Sequence, residues 1–122
     1  MKATEIMVGD RLAYRGQYAA FDFRVEQVTK HKIGYHAEPG ENRMHYLRLH
    51  EVQPIPITPE ILERNGIRYQ FGMPWYQGGA DGAFEFRYRS DDGSTQVQVP
   101  VRYVHELQHA LRLCGIEKEI EL

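Results

Sequence analysis

Residues 103–115 read YVHELQHALRLCG, and this stretch predicts the helix that organises the second half of the chain. At about 100° per residue in an α-helix, its apolar side chains fall on one continuous face. That face consists of Tyr103, Val104, Leu107, Ala110, Leu111 and Cys114. Gly115 is expected to end the helix, because glycine readily adopts the left-handed conformation found at helix C termini.

The same stretch contains H-E-x-x-H, a motif that zinc peptidases carry on a helix. In that chemistry His105 and His109 bind the metal, and Glu106 activates the metal-bound water as a general base. The helical wheel places both histidines about 160° from the centre of the apolar face, so we expect them to face solvent. Because a peptidase needs its ligands in a sheltered cleft, a zinc peptidase is the alternative interpretation and not the leading one.

A third zinc ligand is missing at the spacing of the elongated motif, which needs a glycine and a histidine three and six residues after His109. Those positions hold Arg112 and Gly115. The glutamates further on lie in residues 116–122, whose alternating pattern predicts a closing strand. We therefore predict no catalytic residue, no metal site and no cofactor, with the H-E-x-x-H residues as the alternative site.

Composition limits the possible functions of the chain. It has 122 residues, 15 basic and 17 acidic, which allows one domain or two small subdomains and predicts little non-specific affinity for nucleic acid. The single cysteine, Cys114, cannot form a disulfide within the chain and is expected to be a small buried hydrophobe. Neither a signal peptide nor a membrane span is apparent, so we expect a cytoplasmic protein without a membrane partner.

The first half of the chain predicts an all-β subdomain over residues 1–53. Short alternating stretches separated by turn residues indicate strands near residues 8–14, 21–25, 33–37 and 44–49. A change in the pattern at Gln27-Val28 is typical of a bulge. Together with the opening V-G-D-x-L segment, this spacing favours a small SH3-like β-barrel or a curled sheet.

A proline-rich linker is predicted at residues 54–57, followed by an α+β subdomain over residues 58–122. Thr58 and Pro59 predict the start of a short helix, and Asn65-Gly66 predicts its end. An antiparallel meander with strands near residues 68–71, 75–76, 84–88 and 96–99 is expected to follow, and then the final helix and the closing strand, so the fold class is α+β.

Other candidate sites are weaker. The histidines of the first half lack ligand spacing, and the glycine-rich residues 78–82 lack the lysine of a phosphate loop, so a hairpin connection is favoured there. Arg87, Arg89 and Arg102, with tyrosines between them, form a second alternative, a surface for single-stranded nucleic acid. Acidic residues at positions 85, 91 and 92 would oppose it, so nucleic acid is not the expected partner.

Four segments resemble a group of small proteins from Bacteroides-type gut bacteria, their phages and mobile elements. They are residues 3–10 (ATEIMVGD), 54–62 (PIPITPEIL), 75–76 (WY) and 103–108 (YVHELQ). The resemblance runs nearly end to end, and no activity is established for the group. It implies that His109 is an individual departure from the group's pattern and that residues 103–108 have a structural role.

The leading hypothesis is a non-catalytic protein-protein interaction or assembly module of phage or mobile-element type. Its expected partner is another protein or a second copy of the chain. The zinc peptidase and the single-stranded nucleic-acid binder remain as the alternatives.

Overall fold

The chain was analysed as a computed structural model, which describes residues 1–67, 76–77 and 83–122. It divides into two compact units, Met1–Ile55 and Pro56–Leu122. Helices and antiparallel strands are both present, so the predicted α+β class is confirmed. Neither α-helix in the described part of the chain has the length and hydropathy that crossing a membrane requires.

The first unit contains six strands, β1 to β6. They span Arg11–Arg15, Ala20–Arg24, Gln27–Val28, Lys32–Tyr35, His45–Arg48 and Val52–Pro54. One sheet has the order β2-β1-β6 and the other has the order β3-β4-β5, with every pairing antiparallel. Short 3-10 helices cover Ala3–Glu5 and Leu49–Glu51.

A single bent stretch of chain passes from the first sheet to the second. Val25 donates its N–H to Asp10 in the first sheet (2.9 Å), and Glu26 donates its N–H to Gly34 in the second (2.8 Å). The bulge predicted at Gln27-Val28 is instead a separate strand, β3, which belongs to the second sheet. Within residues 1–55, all of them described, the strands curl around one core without closing into a barrel.

The V-G-D-x-L segment, residues 8–12, contributes Leu12 to the core of the first unit. The core consists of Ile6, Leu12, Phe23, Val25, Ile33 and Val52. Asp10 is fully buried beside it, and its carboxylate accepts a hydrogen bond from the Met7 backbone N–H at 2.8 Å. Gly9 has φ of 93°, a conformation that favours glycine, so this pair of residues fixes the turn into β1.

The second unit begins with helix α1, Pro59–Arg64, whose predicted ends are confirmed. The Thr58 hydroxyl caps it by accepting the Ile61 N–H at 3.2 Å. Gly66 has φ of 64° and ends it. Before the helix, Ile57 donates its N–H to Arg102 (2.9 Å), so the proline-rich segment enters this unit as extended, paired chain.

A three-stranded antiparallel sheet follows, with β7 at Tyr76–Gln77, β8 at Phe84–Arg89 and β9 at Gln96–Val101. The predicted meander is confirmed for β8 and β9, where Phe84 and Phe86 are buried. The predicted strand at residues 68–71, the side chain of Trp75 and the glycine-rich residues 78–82 lie outside the described residues.

Helix α2 spans Val104–Leu113, but the strand predicted for residues 116–122 is wrong. Ile116 donates its N–H to Leu111 (2.9 Å), closing the helix end, and Ile120 is buried at 2% exposure. Glu121 is held by the side chain of Asn65 instead of by a neighbouring strand. Alternating apolar residues therefore bury one side of this segment without a β-ladder.

Candidate functional site

Glu106 of the H-E-x-x-H motif has a structural role at the start of α2. Its Oε1 atom accepts the backbone N–H groups of Arg102 at 2.9 Å and of Tyr103 at 3.1 Å. These N–H groups lie at the start of the helix. A negative carboxylate there also interacts favourably with the positive end of the helix dipole. One oxygen of the carboxylate that a peptidase would use as a base thus caps the helix.

The expectation that both histidines face solvent is wrong for His105, which is 5% exposed. Its ring stacks on Tyr103 with centroids 5.9 Å apart and meets His109 edge-on at 5.6 Å. Gln108, on the same flank of the helix, is also 5% exposed. Polar side chains beside the apolar face of the helix are therefore buried as well. The pattern of hydrophobic residues alone does not predict this burial.

The histidine pair is not joined by a third side chain of a metal-binding type in the described part of the chain. Among the described residues, no group of three or more histidine, cysteine or acidic side chains is arranged to hold a metal ion. Cys114 is half-buried at the end of α2, and burial raises the pKa of its thiol, which disfavours the reactive thiolate. Helix α2 thus carries two adjacent histidines, and the cysteine at its end is held in the protonated form by burial.

The arginine face proposed for nucleic acid carries an internal counter-charge. Arg87 Nε lies 3.2 Å from Glu85 Oε1, and Gln98 also donates to that carboxylate. The hydrogen bond from Arg87 lowers the pKa of Glu85, so the acid stays ionised between the cations. Arg89 and Arg102 are exposed, but the carboxylate reduces the positive potential of the face that they share with Arg87.

The first unit contains a groove of about 630 Å³ that sequence reasoning did not anticipate. One wall is formed by residues 21–24 of β2 with Arg11 and Glu26, and the other by residues 35–40. The groove opens where the chain after β4 diverges from β2. Segments that are distant in the sequence form the groove, so no local sequence motif predicts its position.

Aromatic rings packed at tilted angles form the floor of the groove, which Phe21, Phe23 and Tyr35 line. The Phe21 ring centroid lies 5.3 Å from that of Tyr14 and 5.7 Å from that of Tyr35. Phe23 lies 5.0 Å from Tyr35. Burial, followed by the nearby Glu41 charge, raises the pKa of Tyr35, so its hydroxyl stays neutral. The floor therefore offers apolar ring surface together with a neutral hydroxyl group.

Strand β2 presents an unpaired outer edge to this groove. Ala19 accepts the Gly16 N–H at 2.8 Å, and Val25 donates to Asp10, so both residues direct their backbone groups towards β1. Because backbone direction alternates along a strand, Ala20 and Asp22 direct theirs to the other side. No residue in the described part of the chain forms a hydrogen bond with those outward backbone groups.

The loop that forms the opposite wall is held in place by Glu41. Its Oε2 atom accepts the N–H groups of Ala37 at 2.9 Å and Glu38 at 3.4 Å, and its Oε1 atom lies 3.0 Å from His45 Nε2. The hydrogen bond from His45 lowers the pKa of Glu41, with the backbone bonds adding to the effect. Hydrogen bonds to the Glu41 side chain therefore hold this wall in a defined conformation.

Charges on the β2 wall largely compensate one another. Arg15 pairs with Asp22 at 2.7 Å, and Arg24 pairs with Glu26 at 3.4 Å. The groove consequently combines an aromatic floor, a strand edge and a nearly neutral rim. Strand edges of this kind are where other proteins add an extended peptide by backbone pairing.

Comparison with known proteins gave no relative: no family model, no curated protein and no solved structure matches the chain.

Proposed function

We propose that this protein is a non-catalytic interaction module that binds an extended segment of another protein along the outer edge of β2. The observation that carries the proposal is the outward direction of the Ala20 and Asp22 backbones on β2, the strand of which Asp22 lines the aromatic groove. A second copy of the chain supplying such a segment is the self-assembly form of the same proposal.

Strand addition accounts for both features of the groove. The backbone of an added strand would exchange hydrogen bonds with Ala20 and Asp22, which provides affinity without regard to side-chain identity. Every second side chain of that strand would then reach the rings of Phe21 and Tyr35. Since the charges on β2 are compensated, the preferred segment alternates apolar and polar residues and carries little net charge.

Exposed strand edges usually carry protection against such pairing, in the form of proline, bulges or uncompensated charge. Residues 20–24 read AFDFR and contain no proline. The charge of Asp22 is compensated by Arg15, so the edge is less protected than its sequence alone would indicate. A strand edge whose Asp22 charge is compensated thus borders a groove that contains aromatic rings.

The architecture also supports a more specific proposal for the first unit. Two three-stranded sheets that share a bent stretch and one core suit an open variant of an SH3-like module. We also propose that the protein is of phage or mobile-element type, as the sequence resemblance implies. We propose the cytoplasm as its compartment, because a lone cysteine suits a reducing environment.

Selection from a displayed library of random linear peptides tests this function. We expect enriched peptides with alternating apolar residues, and amide chemical shifts that change at residues 20–24 and 35–40. The shifts of Gln96–Val101 in the second unit should stay unchanged and provide the internal control. A protein that enriches no peptide and remains monomeric at high concentration would lack this function.

A further inference from the structure

A second surface of the first unit lies on the outer face of the sheet β3-β4-β5. We call it the basic face and define it as Lys30, Lys32, Tyr46 and Arg48. Lys32 and Arg48 are directly opposite each other on β4 and β5. All four side chains are exposed, and none of them lines the aromatic groove.

The pairing of Lys32 with Arg48 has an energetic cost. Like charges directly opposite on antiparallel strands repel and destabilise a sheet. Within the described part of the chain, none of Lys30, Lys32 and Arg48 forms an ion pair. Glu51 is the nearby acid, and its carboxylate accepts the Arg48 backbone N–H at 2.9 Å. Lys32 and Arg48 thus lie side by side on the sheet, with Lys30 in the turn that precedes β4 and Glu51 bound to the Arg48 backbone.

An exposed aromatic ring lies among these cations. Tyr46 is 48% exposed and sits opposite Gly34, where a Cβ atom would come within 3.2 Å of its ring. Its hydroxyl donates to Gln27 at 3.2 Å, and Lys32 Nζ lies 4.3 Å from the ring centroid. The absence of a side chain at Gly34 leaves room for Met44 and for the Tyr46 ring, and about half of the Tyr46 surface remains exposed.

We propose that the basic face binds single-stranded nucleic acid, which goes beyond the peptide-binding function of the groove. The cations contact successive phosphates, and a base stacks on Tyr46 as Lys32 moves from the ring to the backbone. A protein partner fits this face less well, because interface centres are depleted in lysine and rich in apolar contacts. The near-neutral charge of the whole chain disfavours long-range attraction but leaves this local surface available.

Fluorescence anisotropy with labelled oligothymidylate and oligouridylate, over a series of salt concentrations, tests the proposal. We expect Lys32→Gln/Arg48→Gln to weaken binding by about tenfold or more and to reduce the salt slope by about 0.7 per lost phosphate contact. The matched control is Arg89→Gln/Arg102→Gln, which removes two exposed arginines from the alternative face. It should change the affinity by less than about twofold.

Tyr46 distinguishes nucleic acid from polyanions in general. Tyr46→Ala should weaken binding by about fivefold to 100-fold, and Tyr46→Phe should retain most of the affinity because it keeps the ring. Circular dichroism establishes that each variant is folded. The two oligonucleotides show whether the sugar matters, and both outcomes are compatible with recognition by phosphate and base.

Three results would overturn the proposal. The first is no detectable binding by the wild-type chain at low salt. The second is an equal loss in the Arg89→Gln/Arg102→Gln control, which would assign binding to the other face. The third is polyglutamate competing as well as the oligonucleotides while Tyr46→Ala has no effect, which would indicate a site for acidic peptides.

Discussion

The side chain of Asn65 pairs with the backbone of Glu121 as a neighbouring strand would. Its Nδ2 atom donates to the Glu121 carbonyl and its Oδ1 atom accepts the Glu121 N–H, each at 2.8 Å. The same Nδ2 atom also donates to Ile61 in α1 at 2.7 Å. One amide at the end of a short helix therefore anchors the last residues of the described chain.

This anchor predicts that Asn65→Ala lowers the free energy of unfolding by about 1–3 kcal/mol, because buried polar partners lose their hydrogen bonds. The Glu121 amide should also exchange its hydrogen faster. The control is Asn42→Ala, since Asn42 is exposed in a loop and should contribute less than about 0.5 kcal/mol. Equal stability of the two variants in urea unfolding would show that the anchor contributes nothing.

Helix α2 offers a matched pair of leucines. Leu111 is 1% exposed and Leu113 is 74% exposed. Leu111→Ala should cost about 2–5 kcal/mol through lost burial and a residual cavity, whereas Leu113→Ala should cost less than about 0.5 kcal/mol. Thermal and urea unfolding measure both. Similar costs would mean that the helix does not bury the face assigned to it.

The capping role of Glu106 predicts a loss of about 1 kcal/mol in Glu106→Ala, a magnitude typical of lost helix caps. Glu106→Gln should keep most of the stability, because the amide oxygen still accepts hydrogen bonds. Glu117→Ala is the control, as Glu117 is exposed beyond the helix. A zinc-dependent peptidase activity that Glu106→Gln abolishes without loss of stability would restore the catalytic interpretation.

The stability of the hairpin between β8 and β9 should fall at low pH. Hydrogen bonds from Ser94, and then from Ser90, lower the pKa of Asp92 from 3.8 to about 2. Because the folded pKa is the lower one, the stabilisation is complete above about pH 3.8 and is lost as the pH falls through about 2. An NMR titration of the Asp92 carboxyl checks this. Asp92→Asn should accelerate amide exchange in the hairpin more than Asp91→Asn does, and equal effects would contradict it.

Local chemistry allowed much of the fold to be predicted from the sequence. Thr58 and Gly66 mark the ends of α1 because capping and positive φ restrict which residues fit there. Phe84 and Phe86 mark a half-buried strand by simple alternation. The capping by Glu106 could also have been predicted, since a glutamate three residues after the N-cap position is a known pattern at the start of helices.

Features that depend on distant contacts could not be predicted. His105 looked exposed on the helical wheel, yet it stacks on Tyr103 and is buried on a polar flank. Residues 116–122 alternate like a strand, but a side-chain amide takes the partner's place. The groove requires β2 and the chain after β4 to diverge, which depends on the tertiary packing of two sheets.

The outward N–H of Asp22 provides the most direct test of strand addition. Asp22→Pro removes that donor at an edge position where proline is tolerated, whereas Asp22→Ala removes the carboxylate and keeps the donor. With a peptide selected on the wild-type protein, isothermal titration calorimetry should show at least about tenfold weaker binding for Asp22→Pro and a change within about threefold for Asp22→Ala. Equal affinity of Asp22→Pro and the wild-type protein would contradict binding at this edge.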